Sequence, residues 1–167
     1  MEDMRDVLVQ RLITALATLK EKPFKNIEIN VREVLYLTYE TGIVNINFKP
    51  DERQLIGSLI KDVIKPIDGC IFNIGYSFER NNVASNLVLR SGLQFMLDNF
   101  KNFPASQNET LEETFKYFKD TESIETIDDA LRCWKNSNIP LTEEDATINE
   151  NEITKPKDVP NSHTWWY

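Results

Sequence analysis

Few side chains in this 167-residue chain carry chemistry, and they are scattered. The single histidine, His163, stands near the C-terminal end. A Ser–His or Cys–His dyad would have to recruit it from the tail, and no G-x-S-x-G or comparable nucleophile context is present. One histidine also excludes the multi-histidine metal sites. Cys70 and Cys133 form neither a C-x-x-C pair nor a zinc spacing and read as two reduced thiols. Carboxylates come in neighbouring pairs, Asp128-Asp129, Glu112-Glu113 and the run at 143–145. Adjacent residues of a helix point in different directions, so such a pair cannot enter one site. Glu109 and Glu113 share a face, as do Glu122 and Glu125, and a solvated helix surface accounts for both. No calcium-loop pattern occurs, and the five glycines form no phosphate-cradling loop. The expectation is no catalytic site, no cofactor and no metal.

The stretch that asks for an explanation is the C-terminal end. Residues 141–158 are acidic and poor in large apolar side chains, which suggests a flexible or surface-draped arm. The arm closes on His163, Thr164, Trp165, Trp166 and Tyr167. Two indoles and a phenol would expose a large apolar area, each ring able to bury on the order of 200 Å². Two readings follow: the rings fold back on a groove of their own domain, or they anchor the chain to a partner. The candidate partner-binding set is Trp165, Trp166 and Tyr167 with His163.

Charge narrows the classes. There are 27 acids against 19 bases, a net charge of −8, and a general nucleic-acid binder needs a positive surface to displace counterions. A local basic face at Arg5, Arg11, Lys20, Lys22 and Lys25 is the remaining route to nucleic acid. The N-terminal residues do not spell a secretory signal, and no apolar run reaches the ~18 residues of a membrane span. The Asn108-Glu109-Thr110 acceptor therefore matches by spelling only. The expected setting is intracellular, cytoplasmic or nuclear, with no membrane partner.

The elements that must position these residues read as follows. The spacing predicts a central helix over 82–103, capped by Asn81 or Asn82, stopped by Pro104 and buried on more than one side. A helix is expected over 2–21, with Met4, Val7, Leu8, Leu12, Leu16 and Leu19 inward. Residues 27–31 alternate as a short strand. Residues 34–39 and 43–48, flanking Gly42, read as a β-hairpin, with a helix over 32–41 as the competing reading. A helix opens at Pro50 and closes at Lys65-Pro66, a turn occupies 66–69, and 70–78 reads as a third strand. Short helices follow at 110–119 and 123–136, the second capped by Thr126, with Ile127, Ala130, Leu131 and Trp134 inward.

Residues 16–32, LATLKEKPFKNIEINVR, resemble the start of TetR-family repressors. The resemblance implies a turn and a recognition helix next, where 33–48 reads instead as the hairpin. No DNA-binding residue is carried over.

Together these readings predict one α+β domain over 1–140, helices on a small sheet, and a tail over 141–167. The expected function is a non-enzymatic interaction subunit or adaptor of an intracellular assembly. It would dock through apolar domain surface and the aromatic tail, and its partners would be other protein subunits in a homo- or hetero-oligomer. The alternative is a nucleic-acid-associated regulatory factor using the basic face. A third reading is an enzyme with a carboxylate site in the cleft between the sheet and helix 82–103.

Overall fold

Six helices make up the described parts of the chain, residues 3–76, 83–135 and 155–166, in this computed structural model. The first, α1 (Met4–Glu21), begins where the Asp3 side chain accepts the backbone N–H of Arg5 at 3.2 Å. That bond satisfies one of the amides a helix start leaves free. Leu8, Val9, Leu12, Leu16 and Leu19 form its inward stripe. Met4, expected on that stripe, is 73% exposed. A turn at 22–26 reverses the chain into α2 (Ile27–Ile43), with Asn26 in the left-handed region at φ 52°.

α2 overturns the α+β reading. The structure has neither the strand at 27–31 nor the β-hairpin at 34–48. Among the described residues it has no strand, only an isolated bridge between Pro104 and Thr110. Val31, Val34, Leu35, Thr38 and Thr41 are buried at helical spacing, so the β-branched residues that suggested a hairpin line a helix packed on more than one side. Their polar atoms are satisfied locally. The Thr38 and Thr41 hydroxyls donate to the carbonyls of Val34 and Thr38, each at 2.8 Å. Gly42 is no turn residue; it makes room for the Phe95 ring. The chain leaves α2 through residues 44–49, where Asn45 takes φ 54°. The TetR-like start therefore leads into one 17-residue helix where the hairpin was expected.

α3 (Pro50–Tyr76) is a second correction. It continues through Pro66 for 27 residues, about 40 Å, where a helix end, a turn at 66–69 and a strand at 70–78 were expected. Ile56, Ile60, Val63, Ile67, Ile71 and Ile74 form one unbroken inward face across the proline. Burying that face outweighs the single backbone hydrogen bond that Pro66 deletes. Residues 77 and 78 of the expected strand lie outside the described residues.

α4 (Val83–Asn99) is the expected central helix, and its buried residues do lie on more than one side. It stops at Asn99, short of 103. Phe100 and Phe103 enter the core from the turn beyond, stacked at 4.6 Å, with Phe48 edge-on to both. The cap positions Asn81 and Asn82 lie outside the described residues. α5 (Leu111–Thr121) and α6 (Ser123–Lys135) follow, joined through Glu122 at φ 59°. Ile127 and Leu131 point inward as expected. Thr126 does not cap α6, which starts three residues earlier, and the Trp134 side chain lies outside the described ones.

The helices pack at short range where glycine allows it. α4 runs beside α2, and a Cβ at Gly92 would stand 2.1 Å from the Leu35 carbonyl oxygen. At Gly57 of α3 a Cβ would stand 1.9 Å from the carbonyl oxygen of Pro104. Further along α3, the buried Asp68 accepts the Thr121 hydroxyl at 2.6 Å, tying α5 to the long helix. Gly69 differs: among the described residues nothing lies within 4 Å of its missing Cβ. We expect Gly92→Ala to cost about 2 kcal/mol through forced separation of α2 and α4. Gly69→Ala should instead raise stability by about 1 kcal/mol through helix propensity. Urea denaturation at low protein concentration compares the two, and equal effects would refute the packing at Gly92.

Candidate functional site

A cluster of buried polar groups converges where the C-terminal tail meets α4. Near its middle α4 carries the run Arg90-Ser91-Gly92, and all three residues are buried. Residues 155–166 lie against this face and end in a short 3₁₀ turn, Thr164–Trp166. Val159 and Trp166 join the core, and His163 is buried with them. The Lys155 amine holds the tail's own backbone, donating to the carbonyls of Pro156 and Val159.

Ser91 is the centre. Its hydroxyl oxygen lies 2.9 Å from His163 Nδ1, 2.7 Å from the Trp166 indole nitrogen and 3.2 Å from that of Trp165. An indole N–H only donates, so both lone pairs of the serine oxygen are engaged by tryptophan. The hydroxyl proton is then left for His163, which must accept at Nδ1. This counting assigns the tautomer with hydrogen on Nε2. That atom is buried and has no hydrogen-bond partner among the described residues.

Around this centre, Arg90 donates to both oxygens of Asp128 on α6, at 2.6 and 3.2 Å, and to Gln94 at 3.2 Å. Its guanidinium carbon lies 4.0 Å from the centre of the Trp165 ring, a cation–π contact in a largely desolvated place. His163 stacks on Trp165 at 4.7 Å and meets the edge of Phe95 at 5.0 Å. Burial, with Arg90 adding to it, pushes the His163 imidazole down to about 4. The Lys155 charge acts in the same direction, and Asp98 opposes it.

A serine hydroxyl facing a histidine nitrogen has the outline of a nucleophilic dyad, but its chemistry is spent. The oxygen has no lone pair left for attack, and no carboxylate orients the far side of the ring among the described residues. What the arrangement does is hold the tail: one hydroxyl satisfies two indoles and an imidazole inside the core. Elsewhere, burial pushes the Cys70 thiol up to about 11, an inert state, while Cys133 is exposed and also free. No three metal-ligating side chains gather among the described residues.

The residues singled out from the sequence divide cleanly. His163, Trp165 and Trp166 are brought together, in cis, on α4; Tyr167 lies outside the described residues. The basic set does not form an open patch. Arg5 pairs with Asp6 and Glu52, Arg11 with Glu33 at 3.3 Å, and Lys20 with Asp62 at 2.9 Å. The Arg5 bond also holds the Glu52 carboxyl below the usual range. Lys22 and Lys25 are exposed beside the α1–α2 turn. Sequence reasoning missed Ser91 and Arg90 and took Asp128 only as one of a neighbouring carboxylate pair; the signal for the first two was a polar Arg-Ser pair among the apolar residues of α4. The cleft between α1 and α2, about 710 Å³, is open and crossed by the Arg11–Glu33 pair.

The chain matches no known family, no curated protein and no solved structure. Among the described residues no helix is long and apolar enough to cross a membrane.

Two outcomes follow from the clasp. Ser91→Ala leaves two buried indole N–H groups without their acceptor and should cost about 2 kcal/mol, read by denaturation and by a red shift of tryptophan emission. His163 also makes stability depend on pH. Its folded value lies below the unfolded value near 6.5, so the unfolded chain binds the proton first as pH falls. The stabilisation is complete above about pH 6.5 and is lost as pH falls toward 4. The difference in unfolding free energy between the natural chain and His163→Asn should carry this slope, on the order of 3 kcal/mol across that window. A flat difference would refute the burial of His163.

Proposed function

We propose that this chain is a non-catalytic interaction subunit or adaptor in a multiprotein assembly, docking through apolar surface at one end of its bundle. The observation that carries the reading is the exposure of large apolar side chains there. Phe24 in the α1–α2 turn is 95% exposed, Ile29 on the first turns of α2 is 68% exposed, and Tyr76 at the end of α3 is 81% exposed. α3 packs against both α1 and α2, the helices that flank Phe24 and carry Ile29. Apolar side chains at such exposure gain nothing from this domain's own folding, and a partner that covers them removes their contact with water.

In this reading the tail has an internal task. His163, Trp165 and Trp166 close the α4 face, and the docking work falls to Phe24, Ile29 and Tyr76. A free, exposed thiol at Cys133 fits an intracellular setting, cytoplasmic or nuclear. The nucleic-acid alternative has less support, since Arg5, Arg11 and Lys20 spend their charge on neighbouring acids.

Affinity purification of the full chain from its natural source tests the proposal. A partner should co-purify in near-stoichiometric amount, and Phe24→Ser with Ile29→Ser should lose it while the unfolding midpoint stays within about 2 °C of the natural chain. Recovery of the chain without any stoichiometric protein would end the reading.

A further inference from the structure

The solvent side of α3 breaks a rule that the rest of the chain obeys. Four of the five glycines sit against a neighbour that leaves no room for a Cβ. Gly69 has nothing within 4 Å among the described residues, although it lies well inside a long helix, where glycine costs roughly 1 kcal/mol relative to alanine. One turn later comes Phe72, 40% exposed, and a turn beyond that Tyr76. Their rings lie 6.2 Å apart and nearly parallel, at 9°, along the outer face. Toward the other end of the same face stand Pro66, Lys65 and Asp62. Pro66 has no N–H, so the Asp62 carbonyl lacks the amide that would normally bond it four residues on.

We infer that this face is a contact between two copies of the chain, α3 crossing α3 antiparallel about a two-fold axis at Gly69. The face carries both halves of its own complement, arranged on either side of the glycine, and this is why the partner is a second copy. Antiparallel register centred on Gly69 sets Phe72 of one copy opposite Pro66 and Lys65 of the other, and Tyr76 opposite Asp62. Each Phe72 ring then covers a pyrrolidine ring and the stem and ammonium of a lysine. Each Tyr76 hydroxyl reaches the Asp62 carbonyl that Pro66 leaves without its amide, the Asp62 carboxylate being held by Lys20 of its own copy. Symmetry makes every contact twice, and the missing Cβ at Gly69 lets the two backbones approach where they cross. A contact of about four helical turns is small, so the dimer forms in the micromolar range or weaker.

The inference rests on the interaction-subunit reading and adds the outer face of α3 to its docking surface, but its test uses the purified chain alone. Sedimentation from roughly 1 to 500 µM should show a monomer–dimer equilibrium. Gly69→Leu should weaken it by about tenfold or more without lowering the unfolding midpoint of the dilute protein. In a Cys133→Ser background, mild oxidation should join two copies of Gly69→Cys and leave Lys61→Cys, far from the axis, unjoined. A monomer at every concentration, or association that Gly69→Leu leaves unchanged, or equal cross-linking at both positions, overturns the proposal. If the chain is monomeric alone yet still recovers a stoichiometric partner from its source, the self-contact fails and the subunit reading stands.

Discussion

The continuous apolar face of α3 is the constraint on which the rest of this structure depends. Isoleucines at three- and four-residue spacing run from Ile56 to Ile74, and α1, α2, α5 and α6 each pack against some part of that length. Keeping the face unbroken requires accepting a proline in the helix interior. The loss of one backbone hydrogen bond is small beside the burial of the residues that follow it. Had the helix ended at Pro66, Ile67, Ile71 and Ile74 would have no common surface, and α6 would have nothing to cover.

A second level of organisation sits on α4. This helix is enclosed by α2 through the glycine contact at Gly92, by α6 through the Arg90–Asp128 pair, and by the tail through Ser91. Buried polar groups are costly unless each finds a partner, and this cluster answers that demand almost completely. Serine gives its one proton and both lone pairs; arginine is held by a carboxylate and an amide and is covered by an indole ring. The imidazole Nε2 is the exception. The same geometry that resembles a catalytic dyad is therefore a clasp, because what makes a hydroxyl reactive is a free lone pair beside a base.

Much of the architecture was legible in residue order. The leucine spacing of α1, the stripe of α4 and the short helices α5 and α6 all follow from periodicity, because an amphipathic helix has to repeat its apolar residues every three or four positions. The errors at 34–48 and 70–78 share one cause. Val, Ile, Thr, Tyr and Phe favour strands when half buried, and in this chain they line helices enclosed on several sides, where alternation is no longer informative. In both places the helical spacing was present, at Val31, Val34, Leu35 and Thr38, and at Ile67, Ile71 and Ile74.

By itself the sequence determined that no conventional nucleophile, metal cluster or phosphate loop is spelled out along the chain, that the net charge is acidic, and that an aromatic end must bury itself somewhere. Those conclusions rest on residue types and near-neighbour spacing, which tertiary structure does not alter. Only the tertiary structure decided where the aromatic end goes. Ser91 and His163 are separated by 72 positions, and Arg90 and Asp128 by 38. No local spacing encodes such meetings; they exist because α2, α4 and α6 pack closely enough to leave one polar seat, of the size and hydrogen-bonding capacity of two indoles and an imidazole.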